Sequence, residues 1–301
     1  LCSWRESCGR VAAADGHLSE VSGIGAKRRE MLQELGIHGL NDLATANPER
    51  LAVQMERFGE QHGDVARALV AQAVAQRDGL VERLDSTFAL PELQGAPGVL
   101  LYDIESDPDA RHDFLHGFLR LPRQSDGRWD LAAATYHPLL VMAEHGEQRS
   151  WLRLQRLLSR YDGWPILHYG ETETLSLRRL AQRQGASDAQ LRRLKRRLVD
   201  VHARIRSHWR LPLSSYGLKS VAAWRGFRWS QAGVDGARAL LWWRQWLGEG
   251  PKRRGSRPGL AWIVRYNQDD CRATWAVAEW LLKEDDLLKT GPDTDQPTAG
   301  P

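Results

Sequence analysis

Three acidic clusters fall where this chain should be burying apolar surface, and that placement limits what it can fold into. The first, Asp103-Ile104-Glu105, closes the apolar run 98–104. The second, His168-Tyr169-Gly170-Glu171-Thr172-Glu173, follows the short apolar run 164–168. The third, Tyr266-Asn267-Gln268-Asp269-Asp270, lies inside a long helical stretch. Ionised carboxylates are costly to bury uncompensated, and a bound cation is the natural compensation. Carboxylates placed this way can converge on two divalent cations, a device for hydrolysing phosphodiesters.

Spacing assigns faces within each cluster. Asp103 and Glu105 are two apart, so in a strand both point to one face. Tyr266 and Asp270 are at i and i+4 of a helix, in line with Ile263, Thr274, Val277 and Leu281. Asp270 thus falls on the apolar stripe, either as a metal ligand or as a buried structural acid satisfied by backbone or arginine. Asp269 falls beside Trp262, Arg265 and Arg272 and is expected to be a surface acid. In the second cluster either Glu171 or Glu173 can face the site. The acid facing away would still be favoured by the helix dipole.

The 301 residues are enough for one large domain and a small one. No apolar run approaches the roughly 20 residues of a membrane span, so no membrane partner is expected and the expected location is cytoplasmic. The pI of about 9.1 and the 42 Lys+Arg, mostly Arg, suit phosphate contacts. The Arg-rich stretch 178–206 reads either as a backbone-binding surface or as a solvated helix face.

Residues 1–17 read as a polar tail without periodicity. Residues 18–90 read as a helical region, with helices expected over 26–35, 41–46, 48–58 and 63–83. The Pro- and Gly-containing stretch 90–97 reads as a linker. Beyond it, strand signals fall at 98–104, 113–121 and 129–136, with a polar turn at 123–128. A helix over 148–161, a strand over 164–168 and a helix over 172–184 follow. From 189 the chain reads as nearly all helical, broken by the Gly/Pro/basic loop 248–258. The tail 289–301 reads as disordered. Three adjacent strands followed by strand–helix alternation predict an α/β fold, a mixed sheet flanked by helices.

Taken in order, Asp103-x-Glu105, His168-x4-Glu173 and Tyr266-x3-Asp270 resemble the motifs of the Tyr-bearing subclass of DEDD 3′–5′ exonucleases, which have a ribonuclease H-like fold. The usual second motif of those enzymes ends in Asp, where this chain has Glu173. A His-Tyr…Glu second motif is usual in a subgroup of ribonuclease H-like exonucleases. The stretches 103–108, 199–202, 215–221 and 266–271 also resemble that subgroup. The likeness spans residues 98–284. It implies a nuclease domain acting on single-stranded 3′ ends of DNA or RNA. By that likeness Asp103, Glu105 and Asp270 would hold two Mg²⁺ or Mn²⁺ ions, and Glu173 would be the second-motif acid. Tyr266 would orient or deprotonate the attacking water. Lys219 would hold a substrate phosphate, with an ordinary surface lysine as the competing reading.

Val21-Ser22-Gly23-Ile24-Gly25-Ala26-Lys27 resembles a helix-hairpin-helix. In that motif Gly23 and Gly25 expose backbone N–H groups to a phosphate, and Lys27 adds charge. A packing hairpin that binds nothing is the alternative. Cys2-Ser3-Trp4-Arg5-Glu6-Ser7-Cys8 resembles the last cysteine motif of RecB-type iron–sulphur nucleases. With a first residue Leu1, residues 1–17 are expected to be a remnant of an upstream RecB-like domain. Two cysteines cannot supply a four-thiolate site, so no iron–sulphur cluster is expected in this chain. Cys271 reads as a small packing residue. The competing functional reading is a non-catalytic nucleic-acid-binding or scaffold module of a larger nuclease assembly.

Overall fold

A computed structural model describes residues 5–142, 146–249 and 258–290. The chain divides into two compact units, Leu1–Thr87 with Ile205–Val221, and Phe88–Arg204 with Ala222–Pro301. No helix among the described residues is long and apolar enough to cross a membrane.

The first unit is mainly helical. It comprises α1 (Arg5–Ala14), α2 (Ala26–Glu34), α3 (Leu40–Thr45), α4 (Pro48–Met55), the short α5 (Glu60–Gly63) and α6 (Ala66–Asp78). The tail expected to be irregular over 1–17 is therefore helical over 5–14. Leu18, Val21, Leu32, Leu43, Leu51, Met55, Leu69 and Ala73 form its core. Helix α6 stops at Gly79, whose φ of 69° supplies the left-handed end that helices favour. The helix expected to reach residue 83 is thus shorter, and β1 (Glu82–Arg83) follows, paired with β7 (Trp209–Arg210). The buried Gln72 ties in the returning segment. Its Nε2 donates to Leu211 O at 2.9 Å, and its Oε1 accepts from Tyr216 OH at 3.1 Å.

The second unit is built on a five-stranded mixed sheet. Strands β2 (Gly98–Asp107), β3 (His112–Pro122) and β4 (Thr135–Leu140) are antiparallel neighbours. Strands β5 (Ile166–His168) and β6 (Leu198–Asp200) extend β2 in parallel, giving the order β4-β3-β2-β5-β6. Strand β6 lies where the sequence read as helix. Leu198-Val199-Asp200 is too short for a periodicity signal, and pairing with β5 decides its conformation.

The third strand also differs from expectation. Residues 129–134 do not continue a strand, because the Asp130 carboxylate accepts from the backbone N–H groups of Ala132 and Ala133 and closes a turn. β4 instead runs through Pro138. As the sheet's edge strand it tolerates a residue without an N–H.

Helices cover both faces. α7 (Gly146–Arg160), α8 (Glu171–Arg183) and α9 (Asp188–Arg197) bury Trp151, Leu154, Leu177, Leu180 and Leu194 against Tyr102, Phe118 and Leu139. α12 (Gly236–Glu249) and α13 (Pro258–Thr290) bury Trp243, Ile263 and Tyr266 against Phe114 and Leu115. α10 (Val201–His208) and α11 (Leu218–Trp224) complete the helices. Near the end of α13, the fully buried Asp285 accepts from the backbone N–H groups of Ala89 and Leu90, fixing the entry to the unit. Residues 250–257 and 291–301, which hold most of the expected basic loop and tail, lie outside the described residues, as do Cys2 and Trp4.

Candidate active site

β2 carries Asp103 and Glu105 on the sheet face that α13 covers, and α13 brings Asp270 against them. One carboxylate oxygen from each lies within 4.8 Å of the others. Glu105 and Asp270 are only 6% and 8% exposed, and Asp103 is half-buried. Burial pushes the Asp103 carboxyl well above the usual carboxylate range, and the negative charges of Asp270, Glu105 and Glu173 push it further. Such a cluster stores repulsion that a divalent cation would relieve, and its all-oxygen donor set suits a hard cation. The structure thus brings together the three residues expected to hold metal.

The second cluster is resolved by burial. α8 begins after Gly170, whose φ of 111° excludes residues with a Cβ without strain. The first turn leaves Glu171 exposed and buries Glu173 to 8%. Glu173 Oε2 is buried without a hydrogen-bond partner. Burial raises its carboxyl to about 7, with Asp200 and Asp270 contributing. A buried carboxylate oxygen with no protein donor is a second observation that fits a cation. His168 serves the turn instead. Its Nδ1 donates to Gly170 O at 2.8 Å, which leaves Nε2 to accept from Thr174 Oγ1 at 3.0 Å. Asp200 at the end of β6 accepts from Gly170 N at 3.0 Å.

Several neighbours of the acids were given no role by the sequence. Asn267 is fully buried, and its Nδ2 donates to Asp103 Oδ2 at 2.6 Å and reaches Glu105 Oε1 at 3.5 Å. Its Oδ1 accepts from Tyr136 OH at 2.7 Å. Space for this amide exists because residue 117 is glycine. A Cβ there would stand 1.7 Å from Asn267 Oδ1 and 2.6 Å from Tyr136 OH. Trp229 donates its Nε1–H to Asp270 Oδ1 at 2.6 Å. The only hint for Asn267 was helical position, one residue past Tyr266. For Trp229 there was none.

Asp269 is a correction. Its helix neighbours Trp262, Arg265 and Arg272 are exposed as expected, but Asp269 itself is 6% exposed. Ser230 covers it, donating backbone N–H and Oγ–H to Oδ2 at 2.8 and 2.6 Å. Helix phase alone could not foresee a loop folding over that face.

Tyr266 is 5% exposed, and burial followed by the charges of Asp270, Glu105 and Asp103 holds its phenol above its ordinary value. A hydrogen bond to Asp270 acts in the same direction. Cys271 is buried, with Sγ 3.8 Å from Gly117 O. At the end of β2, Asp107 is clamped by Arg244 of α12, with 2.8 and 2.6 Å contacts to its two oxygens, and its carboxyl falls to about 2.

The expected phosphate-binding residues lie in the first unit. Gly23 has φ of 92°, Gly25 is the residue preceding α2, and Ile24 between them is buried. Lys27 is exposed, and Arg28 Nη1 donates to Gly23 O at 2.7 Å. Lys219 is exposed on the first turn of α11.

No curated protein and no solved structure gives a significant match to the chain. A family model does match, described as the RNase H superfamily, and it covers residues 100–282, from within β2 to the later turns of α13. The match takes in more than half of the sequence, all three acidic clusters and all five strands of the sheet but for the first two residues of β2, and the chain belongs to the RNase H superfamily.

Proposed function

We propose that this protein is a divalent-metal-dependent nuclease that removes nucleotides from single-stranded 3′ ends of DNA or RNA. The observation that carries the reading is the convergence of Asp103, Glu105 and Asp270 from two separate elements within 4.8 Å. Superfamily membership supports it, since such domains are generally metal-dependent nucleases.

In this reading Asp103, Glu105 and Asp270 hold the metal, and Glu173 faces it from α8 as the fourth carboxylate. Bound Mg²⁺ or Mn²⁺ would supply the activated water and stabilise the leaving 3′ oxygen. Asn267 keeps Asp103 and Glu105 side by side. Trp229 fixes one oxygen of Asp270 and so helps to hold that carboxylate beside Asp103 and Glu105. Tyr266 keeps its proton near neutral pH and so orients the attacking water as a donor or through its lone pairs. The Gly23–Gly25 turn, Lys27 and Lys219 add phosphate contacts. The domain division 18–90 and 98–284, an upstream RecB-like segment and the helix-hairpin-helix role belong to the same proposal.

End-labelled single-stranded DNA and RNA incubated with Mg²⁺ or Mn²⁺ test the reading. Stepwise shortening from the 3′ end is expected, stopped by chelation and by Asp103→Asn. No metal-dependent cleavage of either polymer would overturn it.

A further inference from the structure

α7 presents four arginines in a row. Arg149, Arg153, Arg156 and Arg160 are spaced by four, three and four residues, so they share one helix face, and all four are exposed. The stripe is about 16 Å long, room for about five phosphates of one duplex strand. Among the described residues no carboxylate pairs with any of them. The stretch 178–206, which looked more basic in sequence, contrasts with this. There Arg183 pairs with Glu147, Arg193 with Asp162 and Arg204 with Glu92. Arg197 is occupied by the backbone oxygens of Trp164, Leu158 and Tyr161.

The edge of the sheet adds to the stripe. Arg153 Nη2 donates to Pro138 O at 3.4 Å, beside His137 of β4. Arg120 of β3 and Arg160 both lie over the ring of Tyr161, at 5.4 and 5.7 Å from its centroid. Arg120 Nε and His137 Nε2 are buried without a hydrogen-bond partner. Burial lowers the His137 imidazole below its ordinary value, and Arg120, Arg160 and Arg153 lower it further. Like charges have thus been gathered and partly desolvated around unsatisfied nitrogens, and among the described residues no acid pairs with them. An anion seated there would meet both deficits.

We infer that Arg120, His137 and the α7 stripe form a phosphate-backbone binding site for nucleic acid, separate from the carboxylate centre. Strand register places it on the other side of the sheet. His137 pairs with Phe118, and Phe118 with Tyr102, whose side chain faces opposite to that of Asp103. Evenly spaced guanidiniums on one helix fit a polyanion of regular charge spacing better than a single small anion. The site holds a stretch of substrate away from the cut end, so it affects affinity for long chains and not the chemical step. The substrate class rests on the nuclease reading, while the binding measurement does not require cleavage.

The test is fluorescence anisotropy of labelled DNA and RNA, single- and double-stranded, in chelator across a salt series. Arg153→Ala/Arg160→Ala should weaken binding about tenfold and reduce the slope of log K against log salt by about 1.4–1.8, the loss of two phosphate contacts. Arg149→Ala/Arg156→Ala, both exposed, should do the same without touching packing. Arg153→Lys/Arg160→Lys should retain the slope. Cleavage of short oligonucleotides should be unchanged in all of these. Unchanged affinity and slope in both alanine pairs overturn the site, as does binding of the parent protein to anionic phospholipid vesicles but not to nucleic acid. Slope loss in the alanine pairs of a protein that cuts nothing would support the site and sink the nuclease reading alone.

Discussion

Asn267 and Asp103 are joined by a 2.6 Å hydrogen bond that crosses from the longest helix to the central strand. The amide presents its nitrogen to the two carboxyl groups, which accept, and Tyr136 OH, at 2.7 Å, donates to the remaining oxygen. One side chain therefore aligns two acids and is itself aligned by a third residue. Replacing Asn267 with Ala strips donors from Asp103 and Glu105 and the acceptor from Tyr136. A stability loss of about 2–3 kcal/mol is expected in urea titration of the metal-free protein, the usual cost of stranding buried polar groups. An unchanged midpoint would mean water replaces the amide freely.

Gly117 tests the same arrangement from the strand. Alanine normally suits a strand interior better than glycine, yet here its Cβ would overlap Asn267 Oδ1 at 1.7 Å. Gly117→Ala should destabilise by about 1–3 kcal/mol through overpacking and reduce cleavage, because Asn267 must move off Asp103. Improved stability with full activity would show that the amide is not needed where it lies.

The contribution of Glu173 to the pH dependence of the metal-free protein has a defined sign. The Glu173 carboxyl is raised from 4.5 to about 7 in the folded state, mainly by burial. Folding therefore favours its protonated form, and its contribution to stability falls as pH rises from about 4.5 through about 7. The loss is on the order of 3 kcal/mol. Asp103 acts in the same direction. The buried His116 imidazole, lowered from 6.5 to about 4, acts oppositely across much of the same interval, and Asp107, lowered to about 2, acts oppositely only below 3.8. Chemical denaturation across this range should show parent stability falling relative to that of Glu173→Gln, and Mg²⁺ should remove most of that difference. A difference between the parent and Glu173→Gln that does not change over the same interval would contradict the burial of Glu173.

How much of this centre was visible beforehand follows from what local pattern can encode. Asp103 and Glu105 were legible because a two-residue spacing at the end of an apolar run has one reading in a buried strand. Asp270 was legible because four-residue spacing from Tyr266 places it on an apolar stripe. Glu173 became distinct from Glu171 only through the packing of α8. Asp269 was misread because its cover, Ser230, comes from a loop some forty residues earlier. Trp229 was invisible for the same reason, and β6 because three residues carry no period. Pairings distant in sequence leave no trace in a single chain's local pattern.

Trp229 and Asp269 are linked through that loop. Trp229→Phe keeps an aromatic side chain, though a smaller one, and removes the N–H that holds Asp270 Oδ1 at 2.6 Å. A 10- to 100-fold loss of metal affinity or activity is typical when a ligand loses its orienting partner, and about that is expected. Asp269→Ala should give a smaller loss of the same kind, because it frees Ser230 and with it the neighbouring Trp229. Asp269→Asn keeps an acceptor for Ser230 and should be milder still. Calorimetric titration of Mg²⁺ into each variant distinguishes the order, and equal affinity in Trp229→Phe and the parent would remove Trp229 from the site.

Tyr266 separates chemistry from packing most sharply. Its ring is buried beside Ile263 and Trp243, and its hydroxyl reaches the carboxylates. Tyr266→Phe keeps the ring and removes only the hydroxyl. The phenol is not a required metal ligand, so Mg²⁺ affinity should be nearly unchanged, while the hydrolytic rate should fall by about 10- to 1,000-fold, the range one orienting or acid–base group supplies. Because its pKa is pushed above the ordinary value of 10.0, no rise in rate from tyrosinate formation is expected below about that pH. A rate within about twofold of the parent, with affinity and fold intact, would make Tyr266 a packing residue and leave the orientation of the water to Asn267 and the carboxylates.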